Sequence, residues 1–440
     1  MIDQFLTTLW IALIVSAATV SEVLLDFIFL YPLFMAFLWI TGGVYFYFHW
    51  ERRWKGPEHP PQFGDDAPLV SILIPCFNEE RQVEETLLTA LGQNYPNFEV
   101  IAVNDGSKDR TAEILDRMVG QHPRLRVVHL ATNQGKAMAL RAGAMASGGE
   151  YLVCIDGDAM LHPNATAFMV APMINLPRVG AVTGNPRIRN RSSLLGSIQV
   201  GEFASIVGLI KRSQRVYGRI YTVSGVIAAF RRRALARIGW WSPDMVTEDI
   251  DVSWSLQRDH WSIFYEPNAL CWILMPETLK GLWAQRLRWA QGGAEVFLKH
   301  VRTVWSWKQR RQWPMMFEYA VSTAWAFCVA LSATLWVMGL IIDMPDMLRV
   351  ATLFPPGFTG TVLAVACILQ FLVSVLIESR YERGMERKLF WIVWYPLVYW
   401  LINLATTLVG FPKAILKRRG ARARWVSPDR GIHTLEKTDA

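Results

Sequence analysis

The sequence predicts an α/β domain built on a mostly parallel sheet and inserted between apolar, membrane-crossing segments. Three observations carry this expectation. Hydrophobic residues make up 52% of the 440 and charged residues only 19%, and the mean hydropathy of +0.21 is well above that of a water-soluble enzyme of this length. Between residues 69 and 156, four short β-branched runs alternate with segments of helical length, the pattern of a parallel sheet with right-handed crossovers. Long apolar stretches lie before residue 50 and after residue 300.

In chain order, Phe5 to Val20 and Phe27 to Tyr47 are each near the roughly 20 apolar residues a bilayer requires. The acidic break at Glu22 and Asp26 predicts a tight hairpin between two helices in residues 1–50. The first is read as a retained helix, because it carries Asp3 where a cleaved leader has a basic region. Residues 51–67 are charged and proline-rich, a linker leaving the membrane on its cytoplasmic side. In the soluble domain, 68–300, LVSILIP (69–75), FEVIAVND (98–105), RVVHL (126–130) and EYLVCID (150–156) are read as strands. Residues 301–412 hold further apolar segments at 317–342, 358–378 and 389–411, and residues 413–440 form a basic tail. Three full spans would carry Lys413, Lys417, Arg418, Arg419, Arg422 and Arg424 across the membrane from the soluble domain, against the positive-inside rule. Pro396 therefore points to a re-entrant or in-plane helix there, for four or five spans in all.

The formal charge of +8 does not imply nucleic acid, since the basic residues gather beside apolar spans: Arg52, Arg53 and Lys55; Arg380, Arg383, Arg387 and Lys388; and the tail. Such clusters face an anionic leaflet, so the lipid bilayer is the expected partner and nucleic acid is not. Cys76, Cys154, Cys271, Cys328 and Cys367 are far apart, odd in number and without CxxC spacing, which excludes a disulfide framework or a zinc site and suits a reduced, cytosol-facing compartment.

Open parallel sheets bind ligands beyond the carboxyl ends of their strands, and here those ends carry Pro75-Cys76-Phe77-Asn78-Glu79, Asn104-Asp105-Gly106-Ser107 and Asp156-Gly157-Asp158. An Asp-x-Asp closing a strand can present hard oxygen ligands to a divalent cation, Mg²⁺ or Mn²⁺, that neutralises a diphosphate; an Asp-Gly turn is the plainer alternative. Asp105 can accept hydrogen bonds from a base or ribose, or simply begin a turn. No Walker A or GxGxxG follows these strands, which excludes the usual NTPase and nicotinamide sites. Lys136, after Gly135, either reaches phosphates or is a solvated helix residue. Thr247-Glu248-Asp249 opens a helix and reads as capping, unless the helix abuts the sheet rim, where Asp249 can serve as general base. In Gln285-Arg286-Leu287-Arg288-Trp289, Gln285, Arg288 and Trp289 share one helical face. An amide, a guanidinium and an indole there can meet a carbonyl, a diphosphate and a sugar ring; an interfacial amphipathic helix is the alternative.

Together PCFNE, VNDGS, DGD, TED and QRLRW, in this order and between apolar spans, resemble the processive, inverting glycosyltransferases of GT-A fold in the cellulose, chitin and hyaluronan synthase superfamily, over residues 68 to about 300. NQGKAMAL, CIDGDA, VGAVTGNPRIR, YTVSGVIAAFRR, TEDIDVSW, LCWILMPETLKGLWAQRLRWAQGGAEVFLK and RARWVSPDRG are most similar to the bacterial poly-β-1,6-N-acetylglucosamine synthases of biofilm matrix, almost end to end. The resemblance implies a cytoplasmic catalytic GT-A domain in a multi-pass protein of the bacterial inner membrane that polymerises N-acetylglucosamine from UDP-GlcNAc. It implies that Asn78, Glu79 and Asp105 hold uridine and ribose, Asp156 and Asp158 the metal and diphosphate, and Asp249 the role of base. Gln285, Arg288 and Trp289 would line the acceptor and pyrophosphate site, and Ser224-Gly225 the floor under the accepting sugar. It further implies outward passage of the growing polysaccharide, a small second membrane subunit, and cyclic-di-GMP control that cannot use a PilZ-type domain, since none is appended. Arg215 and Arg219 form an RxxxR spacing of little weight among so many arginines.

Overall fold

The computed structural model describes residues 20–191, 193–353, 357–382, 384–388, 390, 399–418, 420, 422 and 423. The chain forms two compact units, one from the segment ending at Leu38 with Glu318–Leu369, the other from Trp39–Phe317 with the chain from Gln370 onward.

In the larger unit β1 (Val70–Cys76), β2 (Phe98–Asn104), β3 (Leu125–His129) and β4 (Tyr151–Ile155) stand where the β-branched runs predict them. Between them run α2 (Val83–Leu91), α3 (Thr111–Val119) and α4 (Lys136–Ala146). Two-residue β5 (Met160–Leu161), α5 (Ala165–Asn175), β6 (Val179–Ile188), α6 (Leu194–Phe203), a π-helical stretch (Ala204–Leu209) and α7 (Ile210–Tyr217) follow. Then come β7 (Ile227–Arg231), α8 (Arg232–Ile238), α9 (Glu248–Arg258), β8 (Ser262–Ile273) and α10 (Leu279–His300). The sheet order is β3-β2-β1-β4-β7-β6-β8-β5. β1 pairs in parallel with β2 and β4, and β2 with β3. β7 runs antiparallel between β4 and β6, while β6 and β8 are parallel to one another, so the sheet is mostly parallel with β7 and β5 reversed.

Every residue of β1 is buried, as expected of a strand covered on both faces. Alternation divides its side chains between two cores: Ile72 and Ile74 join Val100, Ala102 and Val153, whereas Leu73 joins Ile101, Val103 and Leu152. The strand ends are thereby held rigidly at one rim, where the motif residues begin.

α1 (Val20–His49) is continuous through Glu22 and Asp26, so the hairpin expected at that break does not form among the described residues. Glutamate and aspartate cost a helix only a few tenths of a kcal/mol each, about 0.7 at most, and no Gly or Pro lies between these two to break it. The preceding span, Phe5 to about Val20, Pro396 and the tail beyond Ala423 lie outside the described residues. Downstream are α11 (Trp313–Ile341), α12 (Gly357–Glu378) and α13 (Leu401–Leu416). Within the smaller unit, α1 and α11 meet through Trp325, whose indole N–H donates to the Ile28 carbonyl at 2.9 Å and whose ring centroid lies 6.4 Å from that of Tyr31.

Among the described residues, four helical stretches are long and apolar enough to cross a membrane: Val20–Arg53, Leu194–Tyr217, Trp307–Ile341 and Gly357–Glu378. The second differs from the rest, because 72% of its apolar window is buried inside the protein, against 17%, 17% and 39%. It is a core helix of the larger unit. Glu51, expected in a solvated linker, is instead fully buried. Arg212 on α7 grips it with Nε and Nη2 at 2.6 and 2.8 Å and also pairs with Glu378, which in turn holds Arg187 on β6 at 2.6 Å.

Candidate active site

The loops after β1 and β2 are laced together by short polar side chains. Asn78, in the left-handed region at φ 56°, donates its backbone N–H to Ser107 Oγ at 3.0 Å and accepts from the Lys108 N–H at 2.9 Å. The Glu79 N–H donates to Thr111 Oγ1 at 2.8 Å. Gly157 lets the β4 loop close on this pair, since a Cβ there would lie 3.1 Å from both the Pro75 carbonyl and Glu79 Cγ. Asp105 is fully buried and accepts from the Gln134 and Gly135 N–H groups at 2.7 and 2.9 Å. Burial pushes its carboxyl up, with those two amides opposing. Its oxygens are thus already engaged by the loop leading to α4, and a ribose contact would use the lone pairs that remain.

Lys136, at the first turn of α4, is not a solvated helix residue. Its ammonium lies 2.6 Å from Asp156 Oδ1 and 3.0 Å from Glu248 Oε1 and donates to the Gly225 carbonyl at 3.0 Å. Burial alone would lower its pKa, but Asp156 and Glu248 outweigh that and hold it above the ordinary value. One cation therefore joins Asp-Gly-Asp, Thr-Glu-Asp and Ser-Gly, which are separated in sequence by up to about a hundred residues.

Gly225 lies against the base candidate: a Cβ there would stand 2.9 Å from Asp249 Oδ2. The Ile250 N–H donates to Asp249 Oδ1 at 2.9 Å. Burial, then the neighbouring Glu248, pushes the Asp249 carboxyl up to about 6, with Lys136 and Arg288 opposing; Glu248 stays below its ordinary value because Lys136 outweighs its burial. Thr247 stands at the N-cap of α9, yet its side chain makes no capping hydrogen bond. Simple capping does not account for the triplet. Instead α10 packs on Thr247 at Gly292, where any Cβ would clash with the threonine side chain.

On α10, Arg288 is exposed while Arg286, two residues earlier, is buried. Arg286 pairs with Glu202 of α6 at 2.6 Å and lies 4.3 Å from the centroid of the Trp289 ring, so one face of that indole is already covered. Trp289 also packs against the core, leaving less of it for a sugar than an interfacial helix would offer. The Gln285 amide N–H₂ approaches Met275 Sδ at 3.8 Å, and its Oε1 is buried without a hydrogen-bond partner, an acceptor available to a ligand. At the opposite edge the C-terminal segment reaches the rim: Arg422 donates to Gln134 Oε1 at 2.5 Å and the Ala423 N–H to the Pro243 carbonyl at 3.0 Å.

Asp156 and Asp158 fit a divalent cation as two of its ligands. Asp158 is pushed up to about 7 by burial and then by the Asp156 charge, a repulsion that a cation between them would relieve. Among the described residues no three His, Cys, Asp or Glu side chains converge as a metal site, so the remaining ligands would come from a diphosphate and water. Sequence reasoning left Lys136 undecided and gave no role to Arg286, Thr183 or Lys211, whose hydrogen-bond partners are all distant in sequence.

Residues 67–292 match the family described as Glycosyltransferase like family 2. The chain is 41% identical to the poly-β-1,6-N-acetyl-D-glucosamine synthase of Staphylococcus epidermidis over 407 residues, 92% of this chain and 98% of that one. It is 42% identical to the synthase of the same name from Staphylococcus aureus strain COL over 406 residues, with the same coverage. A solved mannosyltransferase from Pyrobaculum calidifontis, in complex with GDP-mannose and Mn²⁺, shares the fold with a TM-score of 0.58 at 20% identity, over 89% of this chain and 99% of that one. Fold, rim motifs and relatives agree that the chain is a GT-A glycosyltransferase and belongs to glycosyltransferase family 2, in the group that includes the poly-β-1,6-N-acetyl-D-glucosamine synthases.

Proposed function

We propose that the chain is a processive, inverting transferase that polymerises N-acetylglucosamine from UDP-GlcNAc into poly-β-1,6-N-acetylglucosamine. The observation that carries the chemistry is the Lys136 cluster, which joins Asp156, Glu248 and the Gly225 carbonyl around one ammonium, with Gly225 lying against the Asp249 carboxylate. The sugar and linkage rest on the relatives named above.

The terminal 6-hydroxyl of the growing chain gives its proton to Asp249, and its oxygen bonds to the anomeric carbon of the α-linked donor. The bond from that carbon to the diphosphate breaks, UDP leaves with the bonding electrons, and the configuration inverts to β. Mg²⁺ or Mn²⁺ held by Asp156 and Asp158 would neutralise the diphosphate. Arg288 adds a cation at the departing UDP, while Pro75, Asn78, Glu79 and Asp105 shape the nucleoside side. Thr247 and Glu248 fix Lys136 and Asp249. Gln285, Trp289, Ser224 and Gly225 line the acceptor and keep the next hydroxyl in place.

The same reading has the GT-A domain, with its flanking helices, at the cytoplasmic face of a bacterial inner membrane in a multi-pass chain. Polymer leaves beside it, a small membrane subunit assists, and cyclic-di-GMP regulates the assembly. The apolar helices and the basic residues at their ends support that placement. The test is incorporation of sugar from UDP-GlcNAc, against UDP-glucose, by membranes containing the chain with its small partner, with Mg²⁺ or with EDTA. Metal-dependent polymer from GlcNAc, cleaved by a β-1,6-hexosaminidase, is expected; polymer from glucose, or full synthesis in EDTA, would overturn the reading.

A further inference from the structure

Lys211 lies on α7 directly after the π-helical stretch Ala204–Leu209, a helix irregularity that often marks functional sites. It is 6% exposed. Its ammonium donates to Thr183 Oγ1 at 2.9 Å, and the same oxygen accepts the Ser224 N–H at 2.8 Å. The next carbonyl, that of Gly225, accepts from Lys136 at 3.0 Å. The Ser224-Gly225 loop is therefore slung between two buried lysine side chains, Lys211 through Thr183 and Lys136 directly.

The two cations differ in their company. Lys136 has two carboxylates in contact, and Arg212, the neighbour of Lys211, has Glu51 and Glu378. Among the described residues Lys211 has no ion-pair partner; burial pulls its ammonium down to about 7, with the charge of Asp249 opposing, so it is still protonated where Asp249, at about 6, titrates. A buried cation without a contacting carboxylate is costly, and a neutral donor could hold Thr183 equally well. A buried charge at this position is accounted for by what it does to the field at Asp249. The other groups facing that carboxylate are Glu248 on its own helix, Lys136 from α4 and Arg288 from α10.

We propose that Lys211 is a positioning residue for glycosyl transfer, holding the acceptor-side loop through Thr183 and keeping Asp249 ionised until the acceptor hydroxyl gives up its proton. The proposal rests on the reading of Asp249 as the base. Its test is the pH dependence of polymer synthesis by the full chain. Lys211→Met, which keeps the length and loses the charge, is expected to move the acidic limb upward by about one pH unit and to lower kcat by about tenfold, while UDP affinity stays within about twofold. Lys211→Arg restores the limb. Thr183→Val, which cuts the link to Ser224 and leaves the charge, lowers kcat without moving the limb, and so tests the proposal even if the methionine variant fails to fold. An acidic limb unmoved in folded Lys211→Met, or wild-type turnover in Thr183→Val, overturns it. Asp249→Glu separates the two readings: if it too leaves the limb in place, the assignment of the base fails first.

Discussion

Replacing Gly225 by alanine puts one methyl group into the contact on which the acceptor side depends. The new Cβ would stand 2.9 Å from Asp249 Oδ2, 3.3 Å from Asp249 Cγ and 3.4 Å from Lys136 Nζ. Favourable non-bonded separations begin near about 3.5 Å, so the carboxylate must withdraw by roughly 0.5 Å. Backbone strain adds nothing, because Gly225 is not among the glycines in the left-handed region. The atoms that move are the end of a short side chain, and the folded state should lose no more than about 1 kcal/mol. Catalysis is less forgiving: productive geometry tolerates about 0.5 Å, and a displacement near 1 Å costs about a hundredfold. The expectation is a fall in kcat of roughly ten- to a hundredfold, or about 1.4–2.7 kcal/mol in the barrier. UDP affinity and the unfolding midpoint should remain near those of the parent. Initial rates of UDP release, beside calorimetric titration of UDP, would measure both. Turnover within about twofold of the parent, in a folded protein, would refute the reasoning that Gly225 is there to admit Asp249.

Asp249→Asn removes the proton acceptor at constant shape; polymer synthesis should fall by a factor on the order of 10² to 10⁴ with UDP binding retained, and synthesis near the parental rate would remove Asp249 from the mechanism. Because the base works ionised and its carboxyl is held at about 6, activity should rise as pH increases through about 6 and fall below it; a rate–pH profile flat from 5 to 7 would contradict this. Arg212→Met leaves the buried carboxylates of Glu51 and Glu378 without their shared cation. The loss should be about 3–5 kcal/mol, seen as a lower unfolding midpoint in detergent, and an unchanged midpoint would mean that the cluster contributes little.

The strands were readable because a strand covered on both faces must be largely apolar, and Tyr151–Ile155 and, apart from Ser71, Val70–Cys76 are. The rim motifs were readable because a parallel sheet aligns its carboxyl ends, which put Asn78, Asp105 and Asp156 near one another before any contact was known. What could not be read depends on contacts between distant segments. Lys136 meets Gly225 across 89 residues, and nothing local distinguishes it from a solvated helix lysine. Lys211 and Glu51 sit in stretches whose composition suggests membrane or linker, and only the fold shows both to be buried. Reversal of β7 follows from pairing, not from its own residues. In α1 the helix runs on through Glu22 and Asp26, because two isolated acidic side chains without a Gly or Pro between them do not break a helix.

The buried charge network also bears on how far the catalytic region is separable. The region matching the glycosyltransferase family description is residues 67–292, and a fragment cut at those limits has the outline of a module. Arg187 and Arg212 both lie inside that fragment, yet Glu378, which each of them contacts, is supplied by a helix that arrives much later in the chain, and Glu51 lies upstream of the matched region. Severed at residues 67 and 292, the fragment would keep two guanidinium groups in its interior and lose the carboxylates that neutralise them. The transferase is in this sense not portable: it becomes a finished object only when both ends of the chain have returned to it, and a mutation near residue 378 can disable a sheet assembled from residues almost two hundred positions earlier.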